Sequence, residues 1–232
     1  MSGPVRAALF DMDGTLIDSE VHTDTAIRVV GERHGVAGLA LPHTETRGRT
    51  WMHIAGVMKA GAGIAADAAA LADELLVYWS EIASDVTPVP GAPGALREAA
   101  RHLKLGVVSS SPRAVVDRFL DRLGIDDCID RAARIGGDMV RGSKPDPDGY
   151  LQGARALGTS PAESLVFEDS QAGLLAARAA GMRSMFITCC AADIPGNTAL
   201  ATASLRDYLA LPPRFWARIA DGSLDITGQV YA

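Results

Sequence analysis

Cysteine is scarce in this chain: three residues in 232, Cys128, Cys189 and Cys190. The last two are adjacent, and adjacent cysteines rarely bridge in an unstrained backbone. An odd count without framework spacing excludes a disulfide scaffold, offers no thiolate metal site and points to a reducing compartment. Long apolar runs are missing as well, so no membrane span is expected. The first fifteen residues hold too short an apolar stretch for a secretory signal, and a cytoplasmic location is the expectation. Basic clusters are also absent. The formal charge is −6 and the 22 Lys and Arg are scattered, which argues against nucleic acid as a partner while leaving room for a small anionic substrate. What remains is 48% apolar and 22% charged, the profile of a soluble globular chain long enough for one domain plus a smaller insertion.

Four short apolar runs stop at polar residues. Ala7-Ala8-Leu9-Phe10 ends at Asp11, Leu105-Gly106-Val107-Val108 at Ser109, Leu165-Val166-Phe167 at Glu168, and Met185-Phe186-Ile187 at Thr188. Each reads as a fully buried strand. Helical patterns over 94–103, 113–123, 148–157 and 171–180 lie between them, with Gly106, Gly124, Gly158 and Gly181 expected near element ends. Strands alternating with helices argue for an α/β fold built on a parallel sheet. Residues 18–86 read differently, as helices over 25–34, 51–60 and 65–82 without a strong strand, inserted after the first strand; Thr87-Pro88-Val89-Pro90-Gly91 marks the return. The tail after Asp221 is weakly patterned and expected to be poorly ordered.

In open parallel sheets, ligands bind outside the C-terminal strand ends, and three of the four runs end there in residues able to do chemistry. Asp11 and Asp13 are two carboxylates two residues apart, suited to nucleophilic attack and proton transfer, with Gly14 for the turn and Thr15 to hold it. An Asx-type turn is the plain alternative. Ser109 with the following Ser110 and Ser111 forms an anion-binding nest or, alternatively, the N-cap of a helix with Pro112 in its first turn. Lys144 supplies an ammonium that can screen a transferring phosphoryl group. Glu168 and Asp169 offer hard oxygens suited to Mg²⁺, or an acidic start to the helix from Gln171. Nucleophile, acid/base, hydroxyl, lysine and metal carboxylate together are the inventory of phosphoryl transfer.

With these residues in hand, FDMDGTL resembles the first motif of the haloacid dehalogenase-like superfamily, VVSSSP its second, GSKPDPDGYL its third and LVFEDSQAGLLAARAAGM its fourth. The order is the family's, and the resemblance spans nearly the whole chain. It points to the subgroup of phosphoglycolate phosphatases, sugar-phosphate phosphatases and β-phosphoglucomutases. It implies a Rossmann-like core (1–17 and 87–232) and a helical cap (18–86) that sets specificity. It implies Asp11 as nucleophile and Mg²⁺ ligand, Asp13 as acid/base with its carbonyl on the metal, and Ser109 and Ser110 as phosphate donors. Lys144 would steady nucleophile and phosphate, and Asp169 and Glu168 would serve the metal. In the cap, Glu20 would face substrate and Arg47 and Arg49 could contact an anionic one. The family histidine near the hinge is displaced to His22, and Trp51 stands where β-phosphoglucomutase carries Arg. The implied activity is a Mg²⁺-dependent phosphatase acting on a small phosphorylated metabolite, without nucleic acid or membrane. A phosphomutase, or a non-catalytic ligand-binding regulator, is the alternative.

Overall fold

The apolar run at the head of the chain becomes the centre of a sheet. In the computed structural model, which describes residues 3–192 and 194–232, the strands are β1 (Ala7–Phe10), β2 (Ile17–Asp18), β3 (Thr87–Pro88), β4 (Lys104–Val108), β5 (Arg134–Ile135), β6 (Ser164–Glu168), β7 (Arg183–Ile187), β8 (Ala203–Leu205) and β9 (Val230–Tyr231). The α-helices are α1 (Glu20–Arg33), α2 (His43–Thr46), α3 (Trp51–Ala62), α4 (Ala68–Ile82), α5 (Ala92–Ala99), α6 (Arg113–Arg122), α7 (Asp148–Ala156), α8 (Gln171–Ala179), α9 (Ile194–Thr198) and α10 (Phe215–Ala220).

Seven strands pair in the order β5-β4-β1-β6-β7-β8-β9, every neighbour parallel. The sheet is covered on both faces, as parallel sheets require. Alternate residues serve the two faces: Ala8, Phe10, Val107 and Phe167 join one apolar cluster, while Ala7, Leu9, Val108 and Val166 join the other. Phe10 and Phe167 stack with ring centroids 4.8 Å apart, directly behind the carboxylates that follow them. The fold is α/β and Rossmann-like. Its strand order reverses around β1, the switch point at which such sheets place their ligands. Phe10 is in register with both Val107 and Phe167, so Asp11, Val108 and Glu168 fall level at the carboxyl edge.

The remaining two strands, β2 and β3, pair antiparallel, Ile17 opposite Pro88 and Asp18 opposite Thr87. This ribbon closes the base of the helical insertion. Within it α1, α3 and α4 bury Ile27, Val30, Ile54, Met58, Leu71 and Leu75 together. Trp79 of α4 is fully buried between Trp51 of α3 and Phe119 of α6, at 5.7 Å from each ring, which packs the insertion onto the core.

Three expectations change. Gly106 lies inside β4 rather than at its end, because a Cβ there would meet Leu9 at 2.8 Å and the Ala133 carbonyl at 2.9 Å. The tail after Asp221 is structured: Ile226 is buried and Val230–Tyr231 pairs with β8, since an edge strand needs only a few residues once a partner is offered. Helix α6 takes Pro112 itself as N-cap, and no serine caps it.

Candidate active site

Asp11 stands one residue past β1, its amide bonded to the Phe167 carbonyl at 3.0 Å. Beside it Lys144, delivered by the loop before α7, places Nζ 2.5 Å from Asp11 Oδ1 and 2.6 Å from Glu168 Oε1. All three side chains are buried. The two carboxylates hold the ammonium charged and push its pKa upward against the opposing cost of burial. Asp11 is pushed well above the ordinary carboxylate range by burial and by Glu168 and Asp13, with Lys144 pulling the other way.

Asp13 sits where the chain leaves the strand. Ser19 Oγ donates to its Oδ1 at 2.7 Å, while Ser111 Oγ and Ser109 Oγ donate to Oδ2 at 3.2 and 3.4 Å. The Asx-turn alternative is therefore not what forms; three hydroxyls, not backbone amides, serve this carboxylate. Burial raises its pKa and those hydroxyls oppose the rise. Serines that would otherwise cap helices are diverted: Ser19 precedes α1 without capping it, and Ser110 Oγ donates to the Gly48 carbonyl at 2.8 Å.

Glu168 is saturated. Lys144 and Tyr150, at 2.6 and 2.9 Å, donate to Oε1, and the amide and hydroxyl of Ser170, both at 2.9 Å, donate to Oε2. Ser170, not an acidic residue, caps α8 by accepting from the Gly173 amide. Asp169 contrasts with it. Thr15 Oγ1 donates to Oδ1 at 3.1 Å, but the buried Oδ2 has no hydrogen-bond partner among the described residues. Gly14, with φ +78°, permits this approach, because a Cβ there would lie 2.2 Å from Asp169 Oδ2. Burial, then the surrounding carboxylates, pushes Asp169 well above its ordinary range.

Ligand oxygens of Asp11, Glu168 and Asp169 lie within 4.8 Å of one another. With Asp13, four carboxylates here face the ammonium of Lys144 and, at Asp169, the more distant charge of Arg47, and Asp169 Oδ2 is left without a partner among the described residues. That deficit of positive charge and the all-oxygen donor set fit a hard divalent cation such as Mg²⁺.

From the insertion, Glu20, Thr23, Thr46, Arg49, Trp51 and Ile54 complete a cavity over Asp11 and Asp13. Glu20 is 6% exposed and its pKa is pushed up to about 7 by burial, with Arg47 opposing. Arg47 Nε lies 3.5 Å from Glu20 Oε2 and 2.9 Å from His43 Nδ1, and its Nη1 donates to the Cys190 carbonyl at 2.6 Å. Arg49 Nη1 donates to the Lys144 carbonyl at 3.1 Å and its Nε to Thr44. His22 turns to Asp85 at 3.2 Å. Tyr150, Ser111 and Ser170 also belong to the site, and the sequence does not mark them individually. Tyr150 had one available signal: a tyrosine on the buried face of α7 needs a hydroxyl partner.

Residues 5–181 match the haloacid dehalogenase-like hydrolase family. The chain is 33% identical over 189 residues to validoxylamine A 7′-phosphate phosphatase of Streptomyces hygroscopicus, covering 79% of this chain and 85% of that protein. It is 30% identical over 191 residues to the phosphorylated carbohydrates phosphatase of Thermotoga maritima, covering 78% and 84%. A β-phosphoglucomutase from Clostridium difficile superposes with a TM-score of 0.78 over 94% of this chain and 98% of that one; at 21% identity this speaks for a common fold. The chain belongs to the haloacid dehalogenase-like hydrolases.

Proposed function

We propose that the protein is a Mg²⁺-dependent phosphatase of a small phosphorylated carbohydrate or related metabolite, working through a phosphoaspartate on Asp11. The observation that carries this is the buried Asp11 carboxylate, held by Lys144 beside Asp13 and the orphaned oxygen of Asp169. The names of the similar phosphatases support the carbohydrate part of the reading. Asp11 Oδ attacks phosphorus in line as the ester P–O bond breaks, and Asp13 gives its proton to the leaving oxygen. Asp13 then takes a proton from water as that water's oxygen attacks phosphorus. The acyl phosphate bond breaks, Asp11 is regenerated and inorganic phosphate leaves. Burial and the three hydroxyls around Asp13 hold it where it can be protonated before the first step and ionised before the second. Lys144 keeps Asp11 oriented and offsets charge on the phosphoryl oxygens, to which the Ser109 hydroxyl and the Ser110 amide can donate. Asp11, Asp169 and the Asp13 carbonyl would hold the divalent cation, with Glu168 adjoining, and bound there it supplies positive charge to the phosphoryl group.

We read residues 18–86 as a cap that must lift. The cavity over Asp11 is only about 30 Å³, room for a water or two at about 10–15 Å³ each and not for a phosphate ester. Over the site, the side chain to backbone hydrogen bonds that opening breaks come from Arg47, Arg49 and Ser110. At about 1–3 kcal/mol each, the sum suits a lid that opens in turnover. The same bonds favour hydrolysis over mutase chemistry, because with the cap closed Arg47 and Arg49 are engaged by core carbonyls and Trp51 carries no charge to grip a second phosphate.

The test is a panel of phosphate esters with Mg²⁺, β-glucose 1-phosphate and trace glucose 1,6-bisphosphate included. The expected result is free phosphate release, abolished in Asp11→Asn, and an acid-stable, hydroxylamine-sensitive phosphoenzyme in quenched wild type. Glucose 6-phosphate accumulating faster than free phosphate would overturn the hydrolase reading.

A further inference from the structure

A second small cavity, of about 40 Å³, is lined by Arg47 and lies apart from the cavity over Asp11. Its walls include Asp169 and Ser170 from the catalytic edge, Arg47 from the cap loop, and Asn197 from α9. Asn197 is 3% exposed in a five-residue helix that no motif marks. Its Nδ2 donates to the Ala192 carbonyl at 3.0 Å. That bond decides which end of the amide is which, because only the NH₂ can donate to a carbonyl. Asn197 Oδ1 is thereby left as a buried acceptor with no partner among the described residues.

Asp169 also lines this cavity, and its Oδ2 is the other buried oxygen there without a partner among the described residues. Two buried acceptors without donors each carry a desolvation cost, and two acceptors cannot satisfy each other. What satisfies both is a donor of at least two hydrogens, or a cation with its water. A volume near 40 Å³ has room for one water. Mg²⁺ keeps several of its waters, and a water on a cation can only donate, so each needs an acceptor in the protein.

We propose that Asn197 is a positioning residue for the divalent cation: its Oδ1 accepts a hydrogen bond from a water of the ion's hydration shell beside Asp169. This rests on the reading of Asp169 as a ligand. The amide tie to Ala192 fixes the Asn197 side chain with Oδ1 as its free acceptor, and α9 thereby acquires a part in the site although it follows the last motif. Partners of this kind, beyond the direct ligands, change metal affinity by about 10–100-fold.

The experiment titrates Mg²⁺ into the full chain by isothermal calorimetry, without substrate, in wild type, Asn197→Ala, Asn197→Leu and Asn197→Asp. Ala and Leu remove both halves of the amide; Asp keeps an acceptor and loses the donor to Ala192. The expected result is a Kd weakened about tenfold or more in the Ala and Leu variants and retained or tightened in Asp. Their kcat at saturating Mg²⁺ should stay within about twofold of wild type. Either acceptor-free variant suffices if the other does not fold, with folding checked by circular dichroism. Equal weakening in all three would make the Ala192 tie a structural anchor only and overturn the proposal, as would unchanged affinity throughout. If wild type itself binds no Mg²⁺, the metal reading of Asp169 fails first, and this inference with it.

Discussion

Replacing Lys144 with Met keeps most of the side-chain volume and removes one charge, so it isolates what the ammonium does. In the native fold Lys144 Nζ serves two buried carboxylates at 2.5 and 2.6 Å, and neither has another cation at hand. Removing one partner of a buried ion pair typically costs about 3–5 kcal/mol, because the charge left behind cannot recover its hydration. Against a total stability of about 5–15 kcal/mol this is roughly a fifth or more, and at about 2–4 °C per kcal/mol for a chain of this size Tm should fall by roughly 6–20 °C. The sign with pH follows from the partners. The pKa of Lys144 is raised in the fold, so its own contribution is fully present below the ordinary lysine range and cannot vary between pH 5 and 8. Asp11, already raised by burial, rises further once the ammonium is gone. The folded variant then takes up a proton at higher pH, and the deficit against wild type should be largest at pH 8 and shrink toward pH 5. Thermal melts of both proteins across that range in chelator, followed by far-ultraviolet circular dichroism, read this directly. Phosphate release at saturating Mg²⁺ should fall about 10²–10³-fold, the usual effect of losing one preorganised charge stabiliser. A variant as stable as wild type at pH 8, or a deficit that widens on acidification, would refute the reasoning.

Chelation with excess EDTA should abolish phosphate release and added Mg²⁺ restore it, because four clustered carboxylates and one lysine leave the phosphoryl group without enough positive charge; full release in chelator sinks the metal assignment. Gly173→Ala should lower stability by about 1–3 kcal/mol and depress activity, since its Cβ would sit 1.6 Å from Glu168 Oε1; an unchanged melting curve would show that Glu168 can swing aside. Glu20, pushed up to about 7 by burial, costs stability when ionised above that pH and less as pH falls toward the ordinary glutamate value. Glu20→Gln should therefore be the more stable protein at pH 8 in chelator and lose that advantage by pH 5. If it is the less stable at pH 8, the Arg47 pair outweighs burial.

The sheet was legible because a buried parallel strand writes itself as an apolar run with a sharp polar stop. β1, β4, β6 and β7 all do this, and the helices between them keep their bounds to within a few residues of the 3.6-residue pattern. The strands that escaped, β5, β8 and β9, contribute two or three residues each at the flanks of the sheet. They exist because a neighbour offers hydrogen bonds, and a run that short has no periodicity to read. Short α2 and the β2–β3 ribbon escaped for the same reason. Gly106 misled because a glycine at a close approach and a glycine at a turn look alike in sequence; only Leu9 and Ala133, from distant segments, decide which it is.

The site divides along a related line. Asp11, Asp13, Ser109, Lys144, Glu168 and Asp169 could be picked out because each is a chemically unusual residue at a strand end or before a turn, and the structure brings all six to one edge. The residues that organise them carry no such mark. Ser19, Ser111 and Ser170 look like ordinary helix caps, and in the fold Ser19 and Ser111 give up capping to donate to Asp13. Arg47 and Arg49 were legible as charges but not as ties, since the carbonyls they grip belong to Cys190 and Lys144, 143 and 95 residues away. Reactive groups are recognisable singly, whereas a hydrogen-bond partner is a property of two positions, and its identity appears only when the chain has folded. Function inferred from sequence alone should therefore be firmest for the chemical step and weakest for what holds, hydrates and covers it, which is where Asn197 and the cap loop lie.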